Sequence, residues 1–200
     1  NDVFSLVIFS DRAQVLVPAQ KVEDKQALKE KIESIEAGGS TALYAGVKLG
    51  ADQIQNYFSS KRINRVILLS DGLANIGPSS PRDLRRLGRQ LAEDGVSVTT
   101  IGVGDDYNED LMAGLAEASD ANYYYVKDTE MLPEIFAREL GEMLAVAARD
   151  VRIEIICPDG VTPLGFIGRT EKFDHQQATV NLSQFTLGQN RYLFLRCRVN

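Results

Sequence analysis

The chain has 200 residues, 44% hydrophobic and 25% charged, with 22 Lys/Arg against 28 Asp/Glu and a formal net charge of −6. A chain of this size buries about 70% of its unfolded surface, so neither a metal nor a disulfide is needed merely to fold it. No apolar run approaches the roughly 18 residues of a membrane helix, and the composition excludes a disulfide miniprotein, a collagen and a disordered tail.

The charge is unevenly spread. Residues 151–200 hold six basic against four acidic side chains, and residues 1–150 hold sixteen against twenty-four. An acidic main body argues against nucleic-acid binding, which needs Lys/Arg stripes to neutralise phosphates, and it attracts divalent cations. Cys157 and Cys197 fit no zinc spacing, and the single histidine, His175, is far from either in sequence. Cys197 reads as a small buried thiol in an apolar run, and a bridge to Cys157 stays open. No basic, apolar leader opens at Asn1, so no signal peptide is expected within these residues.

In chain order, Val3–Phe9 is a near-continuous apolar run with β-branched and aromatic residues, the pattern of a strand buried on both faces. Residues 13–17 (AQVLV) predict a second strand, closed by Pro18. Asp24 then precedes Leu28, Ile32 and Ile35, whose spacing predicts an amphipathic helix ended by Gly38 and Gly39. A longer helix is predicted over residues 42–58, with Leu43, Val47, Ala51, Ile54 and Phe58 on one stripe.

Arg65–Ser70 predicts another doubly buried strand. Ser80 and Pro81 predict a helix start, with Asp83 at the third position and Leu84, Leu87 and Leu91 inward; the helix stops at Gly95. Residues 96–101 predict a strand, Asn108 caps a helix carrying Leu111 and Leu115, Tyr123–Val126 is a strand, and residues 131–148 form the last long helix. Strand and helix alternate after one opening hairpin. That order predicts a three-layer, doubly wound α/β fold with a mostly parallel sheet, whose ligands bind at the carboxyl ends of the strands.

From Asp150 the texture changes. Residues 151–156 alternate with period two, Pro158, Asp159 and Gly160 make a turn, and residues 178–182 and 191–199 are further strand candidates. The expected division is residues 1–148 and a partial antiparallel β-sandwich-like module over residues 149–200. The last strand runs to Asn200, so the chain is expected to be a piece of something longer.

Two loops carry candidate chemistry. Gly38, Gly39, Ser40 and Thr41 precede a helix, and Asp71-Gly72 follows a buried strand. A hard cation such as Mg²⁺ takes hydroxyl, carboxylate and water oxygens, so Thr41 and Asp71 would serve if their loops meet. Spacing alone also admits Thr41 as a helix cap and Asp71 as a turn acid.

The order of elements and these two loops resemble the von Willebrand factor A-type domain. The matching residues are Gly39 to Leu43 (GSTAL), Val66 to Gly72 (VILLSDG), Val98 to Gly104 (VTTIGVG) and Asn122 to Val126 (NYYYV), in the family's order over roughly residues 2–148. The resemblance implies a metal-ion-dependent adhesion site in which Thr41 is a hydroxyl ligand and Asp71 an acid acting often through water. It also implies Mg²⁺ or Mn²⁺ as the cofactor of the full-length parent, a protein partner offering an acidic side chain, an exported or surface-attached setting, and a binding module rather than an enzyme. The stretch after residue 150 resembles, less closely, the β region behind this domain in some bacterial members.

One departure stands out. The family opens with a central strand carrying Asp-x-Ser-x-Ser, then a long helix; this chain has no such motif, and Ser10-Asp11 does not fit it. The missing strand would lie between Val3–Phe9 and Arg65–Ser70, and an empty slot there would expose backbone on two apolar strands. The native protein is expected to continue upstream of Asn1, and in this chain taken alone the slot is expected to be filled by a separate fragment, a neighbouring chain or a rearranged segment. Three usual ligating side chains are missing with that strand, so the metal site is incomplete in this chain.

Other signals are weaker. Gly102 and Gly104 lack the third glycine of a dinucleotide loop, and Asp105-Asp106 would repel a pyrophosphate. There is no Walker loop and no nucleophile elbow, and His175 lies in the other module from Ser10 and Ser70, against a Ser-His-Asp triad. Asp105, Asp106, Glu109 and Asp110 read as helix-start acids before acids flanking a site, Tyr123 to Tyr125 as strand packing before a recognition surface, and Arg82, Arg85, Arg86 and Arg89 as a solvated helix face before a partner-docking stripe. A metal-independent assembly module and a hydrolase-type enzyme on a similar sheet are the alternative functions.

Overall fold

The computed structural model describes residues 2–36, 38–169, 171–187 and 190–199. It divides into two compact units, Asn1–Phe136 and Ala137–Asn200.

In the first unit, β1 (Val3–Phe9) and β2 (Ala13–Lys21) form an antiparallel hairpin, followed by α1 (Lys25–Glu33) and α2 (Leu43–Gln55). Then come β3 (Arg65–Ser70), α3 (Pro81–Glu93), β4 (Ser97–Val103), α4 (Glu109–Ala118) and β5 (Tyr123–Val126). A 3-10 turn leads into α5 (Leu132–Leu144). β3, β4 and β5 make a parallel sheet in that order, with Leu69 opposite Ile101 and Ile101 opposite Tyr124.

Alternation along these strands builds two apolar layers. Leu68 and Val98 turn to one face and meet Leu43 and Val47 of α2, Leu84 and Leu87 of α3, and Leu111 and Leu115 of α4. Ile67, Ile101 and Val126 turn to the other and meet Leu132, Ile135 and Phe136 of α5. Helices therefore cover both faces of a parallel sheet, the doubly wound α/β arrangement that the alternating pattern predicts.

The helix starts follow local chemistry. Asp24 caps α1, Ser80 caps α3 through the Asp83 N–H, and Asn108 caps α4 through the Leu111 N–H. Glu109 and Asp110 fall in the first turn of α4, where the helix dipole favours acids. Arg82, Arg86 and Arg89 of α3 are exposed; Arg85, half-buried against Gly114 of α4, pairs with Glu117 at 2.7 Å.

Several boundaries depart from expectation. β2 is not closed by Pro18 but runs to Lys21. A register shift between Phe4↔Gln20 and Leu6↔Val17 absorbs the proline, which has no N–H to give the ladder. α1 ends at Glu33, not at the glycines, because the Ser34 hydroxyl donates to the Lys31 carbonyl and its N–H to Glu30. No α1 residue is buried, and Ile32 and Ile35 stay exposed. The predicted long α2 stops at Gln55, leaving Phe58 exposed.

β1 and β3 lie in separate sheets: among the described residues no ladder joins them. α2 packs against both. Gly46 sits so close to Phe9 that a Cβ would meet the ring at 2.7 Å, and at Gly50 a Cβ would meet Val66 at 3.5 Å. β1 is only half-buried along its length, and Leu69 of β3 is 41% exposed.

The second unit holds β6 (Val146–Ile156), β7 (Val161–Phe166), β8 (Gln177–Thr186) and β9 (Leu195–Val199). β6 pairs antiparallel with β8, and β7 with β9. Buried Ala178, Val180 and Leu182 stand opposite Ile155, Ile153 and Val151. The helix predicted to residue 148 ends at Leu144: pairing of Ala148 with Phe185 and of Arg149 with Gln184 draws an alanine-rich segment into β6. β7 has no counterpart in the sequence reading, since Pro163 and Gly165 mask a strand that a register shift accommodates. The last strand begins at Leu195 rather than residue 191, and Asn200 lies outside the described residues.

Candidate functional site

Three loops meet at the carboxyl edge of the first unit. The turn joining β1 and β2 supplies a seat: the Ser10 carbonyl accepts the Ala42 N–H at 2.8 Å, and Asp11 Oδ1 accepts the Ser40 N–H at 2.8 Å. Gly39 adopts φ +81, open to glycine but strained for other residues, and a Cβ there would press on Ser10 at 3.1 Å. At Gly38 a Cβ would meet nothing within 4 Å.

Thr41 is then clamped from the β3–α3 loop. Asn75 Oδ1 accepts the Thr41 N–H at 2.7 Å, while the N–H groups of Asn75 and Ile76 donate to the Thr41 carbonyl at 3.2 and 3.4 Å. The Thr41 hydroxyl lies against the turn that follows β3, 3.1 Å from where a Gly72 Cβ would stand. Thr41 does not cap α2, because Ala42 holds that position without a side-chain bond. Among the described residues, neither the Thr41 hydroxyl nor the exposed Asp71 carboxylate has a hydrogen-bond partner.

An open cleft of about 510 Å³ is lined by Thr41, Gly72, Leu73, Asn75, Asp105, Asp106 and Tyr107. Asp105 and Asp106 lie on its wall, upstream of the Asn108 cap, so of their two readings the place beside a cleft holds rather than the favoured helix start. Tyr107 is seated on Gly102, where a Cβ would run into its ring. It stacks on Tyr125 with centroids 5.9 Å apart and shares a short hydroxyl contact with Tyr123.

The three strand tyrosines differ. Tyr123 and Tyr124 pack against the two core layers, but Tyr125 is 46% exposed and donates its hydroxyl to Asp105 Oδ1 at 2.8 Å. Burial, with the Tyr107 hydroxyl beside it, pushes the Tyr123 phenol well above its ordinary range. The bond to Asp105 raises Tyr125.

The donor chemistry suits a hard divalent cation in part. A hydroxyl and a carboxylate without other partners are oxygen ligands of the right kind, but they are two where such an ion takes six or more. Among the described residues no group of three or more His, Cys, Asp or Glu side chains could hold a metal. The sequence reading singled out Thr41, Asp71 and their glycines; it set Asp11 aside and gave Asn75 and Tyr107 no role. Nothing in their spacing marks them, because each acts through a contact between distant loops. His175 belongs to the second unit, 2.9 Å from Asp174.

Comparison with known proteins bears on the family and the fold. The von Willebrand factor type A domain profile matches residues 1–138. Over 203 aligned residues the chain is 28% identical to the uncharacterized protein YfbK of Escherichia coli K12, covering 98% of this chain and 35% of that protein. The chain thus spans about a third of that relative's length.

Among solved structures, a von Willebrand factor type A protein from Catenulispora acidiphila superimposes with a TM-score of 0.73 at 18% identity, over 92% of this chain and 46% of that one. Proximal thread matrix protein 1 of the mussel byssus, solved with a zinc-occupied MIDAS motif, gives a TM-score of 0.53 at 22% identity, over 68% of this chain and 34% of that one. The profile match across most of the chain, on a doubly wound sheet whose loops meet at Thr41, places this protein in the von Willebrand factor type A family.

Proposed function

We propose that this chain is a non-enzymatic protein-recognition module acting through a Mg²⁺ or Mn²⁺ site at the carboxyl edge of its parallel sheet. Thr41 gives the ion a hydroxyl and Asp71 a carboxylate, directly or through water, while Gly38, Gly39, Ser40 and Gly72 shape the loops. A partner protein completes the shell with an acidic side chain. The ion supplies the positive charge that lets a carboxylate approach an edge already carrying Asp71, Asp105 and Asp106. The observation that carries the reading is the clamped Thr41, whose hydroxyl lies against the Asp71-Gly72 turn with no other partner among the described residues.

The remaining protein ligands, in this proposal, come on a strand from outside residues 1–200 that lies between β1 and β3. Its supports are the break between the two sheets, the half-buried β1 and the exposed Leu69. An apolar strand without a neighbour on one edge leaves a row of N–H and C=O groups free to pair.

Mn²⁺ titration followed by EPR tests both parts, using this chain and a form extended upstream. Binding by the extended form, lost on Thr41→Ala or Asp71→Ala, is the expected result. Equal failure of both forms would overturn the metal reading in favour of a metal-independent assembly module.

A further inference from the structure

One face of the β7–β9 pair is apolar at one end and basic at the other. The ladder sets Thr162 opposite Arg198, Gly165 opposite Arg196 and Phe166 opposite Leu195, with a register shift between Pro163 and Gly165. The chain leading into β9 extends the pairing, since the Ile167 N–H donates to the Phe194 carbonyl at 2.9 Å. Alternation along the strands divides the side chains between two faces. On one, Phe166, Leu195 and Cys197 are half-buried, and Phe166 stacks on Phe173 with centroids 5.1 Å apart. Leu164, Ile167, Tyr192, Phe194, Arg196 and Arg198 are exposed instead.

Two features of the exposed set point to a ligand. The rings of Tyr192 and Phe194 stack on each other, 6.4 Å between centroids, and remain 73% and 63% exposed. Neither Arg196 nor Arg198 has an ion pair or hydrogen bond to a side chain among the described residues. Aromatic rings and arginines are enriched at protein interfaces, and a contiguous apolar patch with a charged rim marks a docking surface.

We propose that this face docks a protein segment carrying carboxylates beside apolar side chains. The apolar side chains of the segment cover Leu164, Ile167 and the two rings, and its carboxylates pair with the Arg196 and Arg198 guanidinium groups. Charge complementarity selects this occupant. A second copy meeting face to face would set arginine against arginine. An anionic lipid surface or a nucleic acid also meets the net charge of the whole chain, −6, which opposes it. A short acidic segment meets chiefly the local arginines, because more distant charges are screened.

The test titrates the whole isotope-labelled chain with two short synthetic peptides, one alternating Glu with Leu and Phe, the other with Lys in place of Glu, and with phosphatidylglycerol vesicles. The expected result is saturable binding of the acidic peptide, read as amide shifts at Ile167, Phe194, Arg196 and Arg198 and weakened by salt. Arg196→Glu combined with Arg198→Glu is expected to lower that affinity about tenfold or more, and Phe194→Ala to do the same without changing charge. Equal binding of both peptides, shifts confined to the first unit, no saturation with the acidic peptide, or a preference for the vesicles would each overturn the proposal. So would self-association in sedimentation that Phe194→Ala abolishes, because a second copy would then cover the face. The shift map of the unaltered chain decides between the two peptides even where a variant folds poorly.

Discussion

Asn75 holds Thr41 at two points: its side-chain Oδ1 accepts the Thr41 N–H at 2.7 Å, and its own N–H donates to the Thr41 carbonyl at 3.2 Å. The pair ties the loop before α2 to the loop after β3, and so fixes the Thr41 hydroxyl beside the Asp71-Gly72 turn. Asn75→Ala removes the side-chain acceptor and leaves the backbone bond. We expect a loss of about 0.5–1.5 kcal/mol in urea unfolding. If the extended form binds Mn²⁺ as proposed, its affinity should fall about tenfold or more, as for other supports of a ligand. Unchanged affinity would show that Thr41 is positioned by other contacts.

Gly102 and Tyr107 make a second pair, since the ring occupies the space a Cβ would need. Gly102→Ala should cost about 1–3 kcal/mol by overpacking and displace the cleft wall. Adding Tyr107→Ala should recover much of that loss, a coupling that a double-mutant cycle in thermal unfolding reads directly. Additive losses would mean that the ring is not what the new methyl meets.

Ser119, fully buried at the end of α4, accepts the Val98 N–H at 3.0 Å and lies within hydrogen-bond reach of the Leu115 carbonyl. It stitches α4 to β4 inside the core. Ser119→Ala keeps the volume nearly unchanged but strands a buried donor, so we expect about 1–3 kcal/mol of destabilisation. Hydrogen exchange should locate the change at the Val98 amide.

Tyr123 gives a pH prediction. Burial, the larger effect, and the Tyr107 hydroxyl both favour the protonated phenol in the folded chain. The folded pKa therefore lies above the unfolded value of about 10. The resulting stabilisation is fully present below that unfolded value and is lost as pH rises through the folded one. The phenolate absorbance difference between the parent chain and Tyr123→Phe should appear only above the ordinary tyrosine range. A difference titrating near the ordinary value would refute the assignment.

The sequence by itself determined the α/β order of residues 3–126, because local signals agreed there. Apolar runs at Arg65–Ser70, capping chemistry at Asp24, Ser80 and Asn108, and the Leu84–Leu87–Leu91 stripe each specify an element through its near neighbours. It also singled out Thr41 and Asp71 as a pair, from side-chain chemistry beside a helix start and a strand end.

Tertiary structure decided the rest. Pro18 and Pro163 lie inside strands because register shifts in their ladders accommodate them, which no single-strand pattern reveals. Ala148 is strand rather than helix because Phe185 stands opposite it, and ladder pairing overrides a local helix preference. Asp11, Asn75 and Tyr107 joined the candidate site, and Asp105 came to its wall, through contacts across 16 to 34 positions of sequence. Periodicity and capping act within a turn or two of chain, whereas the clamp on Thr41 exists only once β3 and α2 have packed side by side.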